Sequence, residues 1–202
     1  MTTQQLLSGL RRGITDFSMI RPGDRIAVGL SGGKDSVTLL KLLAAYRRFS
    51  PEPFTLTAIT VDLNFKDNPA DFSPLAAFCA ELDVPFLLEK TDIGEVVFDV
   101  RKEENPCSLC AKMRKGALNA AALSAGCNKI ALGHHFDDAV ETFFLSLFYE
   151  GRLSCFQPVT HMTRTGVDQI RPMLYAGEGR IANLAEVLAL PVVKNPCPED
   201  RG

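Results

Sequence analysis

Arg25-Ile-Ala-Val-Gly-Leu30, Ser31-Gly-Gly-Lys-Asp-Ser36 and Val37-Thr-Leu-Leu40 form one continuous stretch, and its reading decides the fold. An apolar, β-branched strand breaks into a double-glycine turn, and the turn opens a helix. Proteins hold phosphate with this geometry. The glycines let backbone N–H groups approach an anion, and the unpaired N–H groups and positive dipole of the new helix then face it. The stretch lacks the glycine spacing of a Walker loop. It is not a dinucleotide fingerprint either, because no Gly-x-Gly-x-x-Gly follows the strand.

Outward from this turn, strand and helix signals alternate. Leu6, Leu7, Leu10, Ile14 and Phe17 follow helical spacing and predict an amphipathic helix within residues 1–20. Pro22-Gly-Asp24 turns the chain into a strand over 25–30, and Leu39, Leu40, Leu42 and Leu43 mark the helix after the glycines. A second strand is predicted over 54–63, a helix over 72–82 and a third strand over 86–88. An alanine-rich helix runs over 111–125, Lys129-Ile-Ala-Leu-Gly133 reads as a strand, and a helix follows over 137–149. Beyond Gly151 the pattern weakens to a strand over 169–174 and a helix over 180–190, with no second domain drawn. The alternation predicts an α/β fold: a parallel twisted sheet with helices on both faces. Ligands bind such sheets at the carboxyl ends of the strands. Three polar clusters fall there: Ser31 to Ser36, Asp62-Leu-Asn64, and Gly133-His-His-Phe-Asp-Asp138.

With 202 residues, 46% of them hydrophobic, the chain can bury one full α/β core. A net charge of −2 gives no general affinity for nucleic acid, so any such surface must be a local patch. Arg11, Arg12, Arg47, Arg48, Lys112, Arg114, Lys115, Arg152 and Arg164 are candidates for one, against the alternative of scattered solvated charges. No apolar run of membrane-spanning length and no signal-peptide pattern is present, so a cytoplasmic protein without a membrane partner is expected.

Six cysteines without a secretion signal point to metal or redox chemistry. Cys79, Cys127 and Cys155 read as small buried hydrophobes. Asn105-Pro-Cys-Ser-Leu-Cys110 opens a helix, so the dipole and nearby Lys112, Arg114 and Lys115 should favour the thiolates of Cys107 and Cys110. Asn195-Pro-Cys197-Pro198 stiffens the backbone around a third thiol. Three thiolates are one short of a closed site and suit an iron–sulfur cluster with one open iron. A zinc site completed by His134, His135 or His161 and a redox dithiol remain open alternatives. Asp137 and Asp138 can share a helix face with Glu141, to hold Mg²⁺ or position a base, or simply to cap the helix. His134 and His135 read equally as buried, hydrogen-bonded residues and as bases. Phe143, Phe144, Leu147 and Phe148 read as core or as an oligomer contact.

The Ser31–Ser36 hexapeptide resembles the PP-loop of the ATP-pyrophosphatase superfamily. Together with Leu132-Gly-His-His-Phe-Asp-Asp-Ala-Val-Glu-Thr-Phe-Phe-Leu-Ser-Leu-Phe-Tyr-Glu-Gly-Arg-Leu153, Cys107-Ser-Leu-Cys-Ala-Lys-Met-Arg-Lys-Gly116 and Asn195-Pro-Cys-Pro198, it resembles the tRNA 2-thiocytidine synthetase family over about residues 20–200. The resemblance implies a PP-loop nucleotide-binding domain over 21–202 ending in a cysteine segment. It further implies ATP, Mg²⁺ and a 4Fe–4S cluster on Cys107, Cys110 and Cys197, with sulfur transfer to C2 of a cytidine in the tRNA anticodon loop, at position 32. Ser31, Gly32, Gly33 and Ser36 would cradle pyrophosphate, Lys34 would add charge, and Asp35 would orient the loop or Mg²⁺. Asp62, Gly133 and His134 would contact the nucleotide, and Asp137 and Asp138 the metal or the activated base. A sulfur donor (a cysteine desulfurase or sulfide) and a homodimer are expected on the same ground. The alternatives are another PP-loop tRNA enzyme, a uridine thiolase or lysidine synthetase, and an ATP- and cluster-binding sensor without tRNA chemistry. Two departures stand out. Phe136 occupies a place where many relatives carry a basic residue, and the chain ends at Gly202 where relatives continue with a basic tail, as a truncated chain would.

Overall fold

A computed structural model describes residues 3–65, 68–101, 105–194, 196, 197 and 199. Asn195 and Pro198, the outer residues of the Asn-Pro-Cys-Pro motif, lie outside the described residues, as do both chain ends of the expected 1–20 and 21–202 units. The elements run α1 (Thr3–Asp16), β1 (Asp24–Gly29), α2 (Lys34–Arg47), β2 (Phe54–Asp62), α3 (Ser73–Glu81) and β3 (Phe86–Lys90). A π-helical segment (Glu95–Arg101) leads into α4 (Pro106–Ser124). Then follow β4 (Lys129–Ala131), α5 (Phe136–Glu150), β5 (Val159–Met162), β6 (Val167–Ile170) and α6 (Glu178–Val187).

Among the described residues the strands form one six-stranded sheet in the order β3-β2-β1-β4-β6-β5. The chain winds outward from β1 to β2 and β3, then returns to lay β4 on the other side of β1. The sheet's direction of winding therefore switches between β1 and β4, where such sheets open a ligand crevice. All pairings are parallel except β5 with β6. The expected parallel sheet thus carries an antiparallel edge, made by a hairpin that the sequence reading lacks. Its strands are four residues each and too short to show a period. Gly166 at φ +69° in Thr163-Arg-Thr-Gly166 is the turn signal that marks it. Strand β6 accordingly ends at Ile170, short of the expected 169–174.

Side chains of β1 alternate between two cores. Ile26 and Val28 join residues of α1, α2, α3 and α6 on one face. Ala27 packs with Ile59, Ile130 and the α4 residues Ala121 and Ala122 on the other. Leu39, Leu40, Leu42 and Leu43 of α2 are all fully buried, since α2 lies between the sheet and the outer helices α1 and α6. Cys79 and Cys127 are buried as expected. The aromatic stripe of α5 is not core: Phe144 is 47% and Phe148 75% exposed.

At the amino ends of the strands, Lys129 is 3% exposed and lies 3.6 Å from Asp24 and 3.1 Å from Asp168. Asp24 also accepts hydrogen bonds from Asn128 Nδ2 (2.8 Å) and the Arg21 N–H (2.7 Å). This network ties β1, β4 and β6 at the end opposite the crevice. Removing the charge strands two carboxylates, so Lys129→Met should destabilise the fold by about 3 kcal/mol in urea denaturation. A loss below about 0.5 kcal/mol would show that the network holds nothing. Burial pushes the Asp168 carboxyl up, but hydrogen bonds from His161 and Lys129 outweigh it and hold the pKa below the ordinary value. That carboxylate stabilises the fold above its unfolded pKa, and the contribution is lost as pH falls through the lower folded value, so the melting temperature should drop below about pH 4.

Candidate active site

The phosphate loop is built where β1 stops. The Leu30 N–H makes its last sheet bond, to the Ile59 carbonyl at 2.8 Å, and Gly32 turns the chain at φ +88°. This left-handed conformation favours glycine, and a Cβ there would lie 3.1 Å from Val193 Cβ. Gly33 is the N-cap of α2 and makes no side-chain cap bond, so the first turn presents backbone N–H groups without a protein side chain over them. The hydroxyl of Ser36 donates to the Gly33 carbonyl (2.9 Å), and that of Ser31 donates to Ser36 Oγ (3.2 Å). Lys34 points away to Glu178 Oε1 (2.9 Å), with Asp35 Oδ2 at 3.3 Å. Burial works to lower its pKa, but these two carboxylates raise it overall.

The end of β4 presses against this loop. A Cβ on Gly133 would stand 3.2 Å from the backbone of Asp35 and Ser36, so a larger residue would push the loop back by a few tenths of an ångström. His135 caps α5: its N–H donates to Asp138 Oδ2 (2.8 Å), and its Nδ1 accepts a long bond from the Asp138 N–H (3.5 Å). Asp137 Oδ2 accepts the Glu178 N–H at 2.6 Å and so caps α6. The capping alternative is thus realised for one oxygen of each of these carboxylates. Asp35 differs. Its Oδ1 is buried with no hydrogen-bond partner, 3.8 Å from His135 Nε2. An orphaned carboxylate oxygen beside a phosphate loop suits a hard cation such as Mg²⁺.

These elements line one cleft of about 660 Å³. Its floor carries Ser31, Gly33, Asp35 and Ser36, and Gly133, His134 and Asp138 come from the end of β4 and the start of α5. One wall is apolar (Leu30, Ile59, Val61, Leu118) and suits a base; α4 adds Arg114 and Lys115. Asp62 does not line it: its Oδ1 accepts the Asn64 N–H (2.8 Å) and fixes the turn after β2. Of the other basic candidates, Arg12 pairs with Asp16 and Arg47 binds the carbonyls of Leu82 and Asp83. The sequence reading missed Phe156, Gln169 and Arg171 in the cleft and Glu178 beside it. Arg171 directly follows β6, so a correct strand end would have flagged it.

Cys107 is exposed, Cys110 is buried and Cys197 lies between. Burial raises the Cys110 pKa; Arg114 opposes this, and the charges of Cys197 and Cys107 raise it further. The expectation of a favoured thiolate is therefore reversed at Cys110, because loss of water outweighs the nearby base. The charges of the other two thiols thus bear on Cys110. Among the described residues, however, no three His, Cys, Asp or Glu side chains are grouped closely enough to hold a metal ion. The donor set matches an iron–sulfur cluster in kind without forming a closed cage.

Residues 6–200 match the family model of the PP-loop domain. The chain is 40% identical to a tRNA-cytidine(32) 2-sulfurtransferase from Pelobacter propionicus, over 96% of this chain and 72% of that protein. It is 42% identical to the enzyme of the same name from Xanthomonas campestris pv. campestris (strain 8004), over 96% of this chain and 64% of that one. Among solved structures it resembles the U34-tRNA thiolase NcsA from Methanococcus maripaludis with its [4Fe-4S] cluster. The TM-score is 0.78 at 26% identity, over 98% of this chain and 66% of that one. A loop and cleft of this construction, with these likenesses, place the chain in the PP-loop domain family and, within it, in the family of the tRNA-cytidine(32) 2-sulfurtransferases.

Proposed function

We propose that this chain replaces the C2 oxygen of a cytidine in the tRNA anticodon loop by sulfur, at the expense of ATP. One observation carries the reading: the cleft that holds the phosphate loop is also walled by Ala111, Arg114 and Lys115, which directly follow Cys110 on α4. This supports a reading in which nucleotide activation and sulfur chemistry share one space.

The carbonyl oxygen at C2 is a poor leaving group. In the first step it bonds to the α-phosphorus of ATP, the bond from that phosphorus to the αβ-bridging oxygen breaks, and the electron pair leaves with pyrophosphate. Positive charge on the pyrimidine is shared with its ring and exocyclic nitrogens. The uncapped first turn of α2, with Ser31, Gly32, Gly33 and Ser36, holds the departing pyrophosphate with donors already aimed. Asp35 would ligate Mg²⁺ through its orphaned oxygen, and release of Lys34 from Glu178 would add a cation to the loop. In the second step a sulfide equivalent bonds to C2, the C2–O2 bond breaks, and AMP departs with the oxygen. Cys107, Cys110 and Cys197 would hold a 4Fe–4S cluster, which supplies an open iron for sulfide. The sulfur comes from a cysteine desulfurase or free sulfide, and the enzyme works in the cytoplasm as a homodimer. Thiolation of a uridine is the second reading, favoured by the likeness to NcsA; the higher identity to the cytidine enzymes supports cytidine.

With tRNA, ATP, Mg²⁺ and sulfide under anaerobic conditions, the reconstituted protein should yield 2-thiocytidine, read by mass spectrometry of nucleoside digests. Cys197→Ser should abolish that product while ATP binding stays within about twofold. An unaltered nucleoside profile with the wild-type protein would defeat the reading. Gly32→Ala forces a side chain into left-handed backbone against Val193, at about 1–3 kcal/mol, and should weaken ATP binding by about tenfold or more in equilibrium dialysis. Unchanged affinity would mean that the loop does not bind the triphosphate.

A further inference from the structure

The cleft carries two side chains, Phe156 and Arg171, to which the PP-loop chemistry gives no task, and both lie beside His134, expected only to contact the nucleotide. The Phe156 ring lies 5.1 Å from the His134 ring, centre to centre, and 4.9 Å from the Arg171 guanidinium carbon. Arg171 is only 7% exposed, yet no carboxylate pairs with it among the described residues. Its Nη1 donates to the Gln157 carbonyl (2.6 Å) and to Thr160 Oγ1 (3.1 Å), and its Nε is buried with no hydrogen-bond partner. His134 Nδ1 is likewise buried and unpartnered. All three residues line the cleft, on its β4 and β6 side.

A guanidinium taken out of water without a counter-ion costs several kcal/mol. Contact with one aromatic face returns about 2 kcal/mol, only part of that cost. Burial pushes the pKa of Arg171 down, and burial with the Arg171 charge pushes that of His134 down, which favours the neutral imidazole. With the neutral imidazole in its Nδ1–H tautomer, one anion between the two would accept from both orphaned atoms. In the proposed reaction the phosphate loop takes pyrophosphate, which leaves the α-phosphoryl group to be held elsewhere.

We propose that Arg171 and His134, seated against Phe156, form a second anion subsite that holds the α-phosphoryl group of ATP and then of the AMP that departs. Two anion sites in one cleft separate the fragments of ATP: the loop holds pyrophosphate, and the Arg171 wall holds the adenylyl group on the side of the target base. The inference rests on the adenylation proposed above, but its test does not depend on thiolation.

The test measures binding of AMP and of pyrophosphate separately, by calorimetry on the full chain. Arg171→Gln should weaken AMP by about tenfold or more and leave pyrophosphate within about twofold, the loss expected for a charge-assisted bond. Ser31→Ala should show the reverse order. His134→Asn and Phe156→Leu should each weaken AMP selectively, and they carry the test if loss of the Gln157 and Thr160 bonds unfolds Arg171→Gln. Unchanged AMP binding in these variants would overturn the proposal, as would equal loss of AMP and pyrophosphate, which marks a structural role. Loss of binding to a short anticodon stem-loop with AMP affinity intact would also overturn it, assigning the anion to an RNA phosphodiester. A selective loss of AMP with no 2-thiocytidine ever formed would uphold the subsite and defeat the thiolation reading instead.

Discussion

Gly32 and Val193 share the contact on which the rest of the site depends. The Val193 N–H donates to the Gly32 carbonyl at 2.9 Å, while Gly32 sits at φ +88° with its missing side chain against Val193. The tip of the phosphate loop is thereby fastened to the segment that leads to Cys197. A second bond, from Asn68 Nδ2 to the Pro196 carbonyl at 3.3 Å, holds the same segment from the β2–α3 connection. The segment leading to Cys197 is thus anchored on one side by the phosphate loop and on the other by the β2–α3 connection.

Beside the phosphate loop the polar groups support one another in series. His135 and Asp138 cap α5, Asp137 caps α6, and Glu178 at the head of α6 holds Lys34 of the phosphate loop. The start of α5 is thus held by its own residues, that of α6 by a carboxylate of α5, and Lys34 at the start of α2 by a carboxylate of α6. Only α2 among these three is left without a side-chain cap, and its first turn faces the cleft. The free N–H groups are placed where a ligand completes them, which is how a helix start becomes an anion site.

Much of this was legible from residues alone. Glycines after an apolar strand fixed the loop, because backbone sterics leave few other uses for such a turn. The alternation of elements gave the parallel sheet, since long-period signals survive without tertiary context. The hairpin of β5 and β6 escaped because four-residue strands carry too little pattern. Arg171, Phe156 and Glu178 escaped for a different reason: each acts through a partner far away in sequence, and no local spacing encodes that. Cys110 shows the same limit, for its helix position argues for a thiolate while burial, a tertiary property, decides against it.

In the proposed reaction the phosphate loop serves to turn the base's own oxygen into a leaving group, with sulfur taking its place. Isotope transfer tests this most directly. An anticodon stem-loop carrying ¹⁸O at C2 of the target cytidine is turned over with ATP, Mg²⁺ and sulfide, and the AMP is examined by mass spectrometry. Each AMP formed with a 2-thiocytidine should carry one ¹⁸O atom. Unlabelled AMP accompanying thiolated product would contradict it.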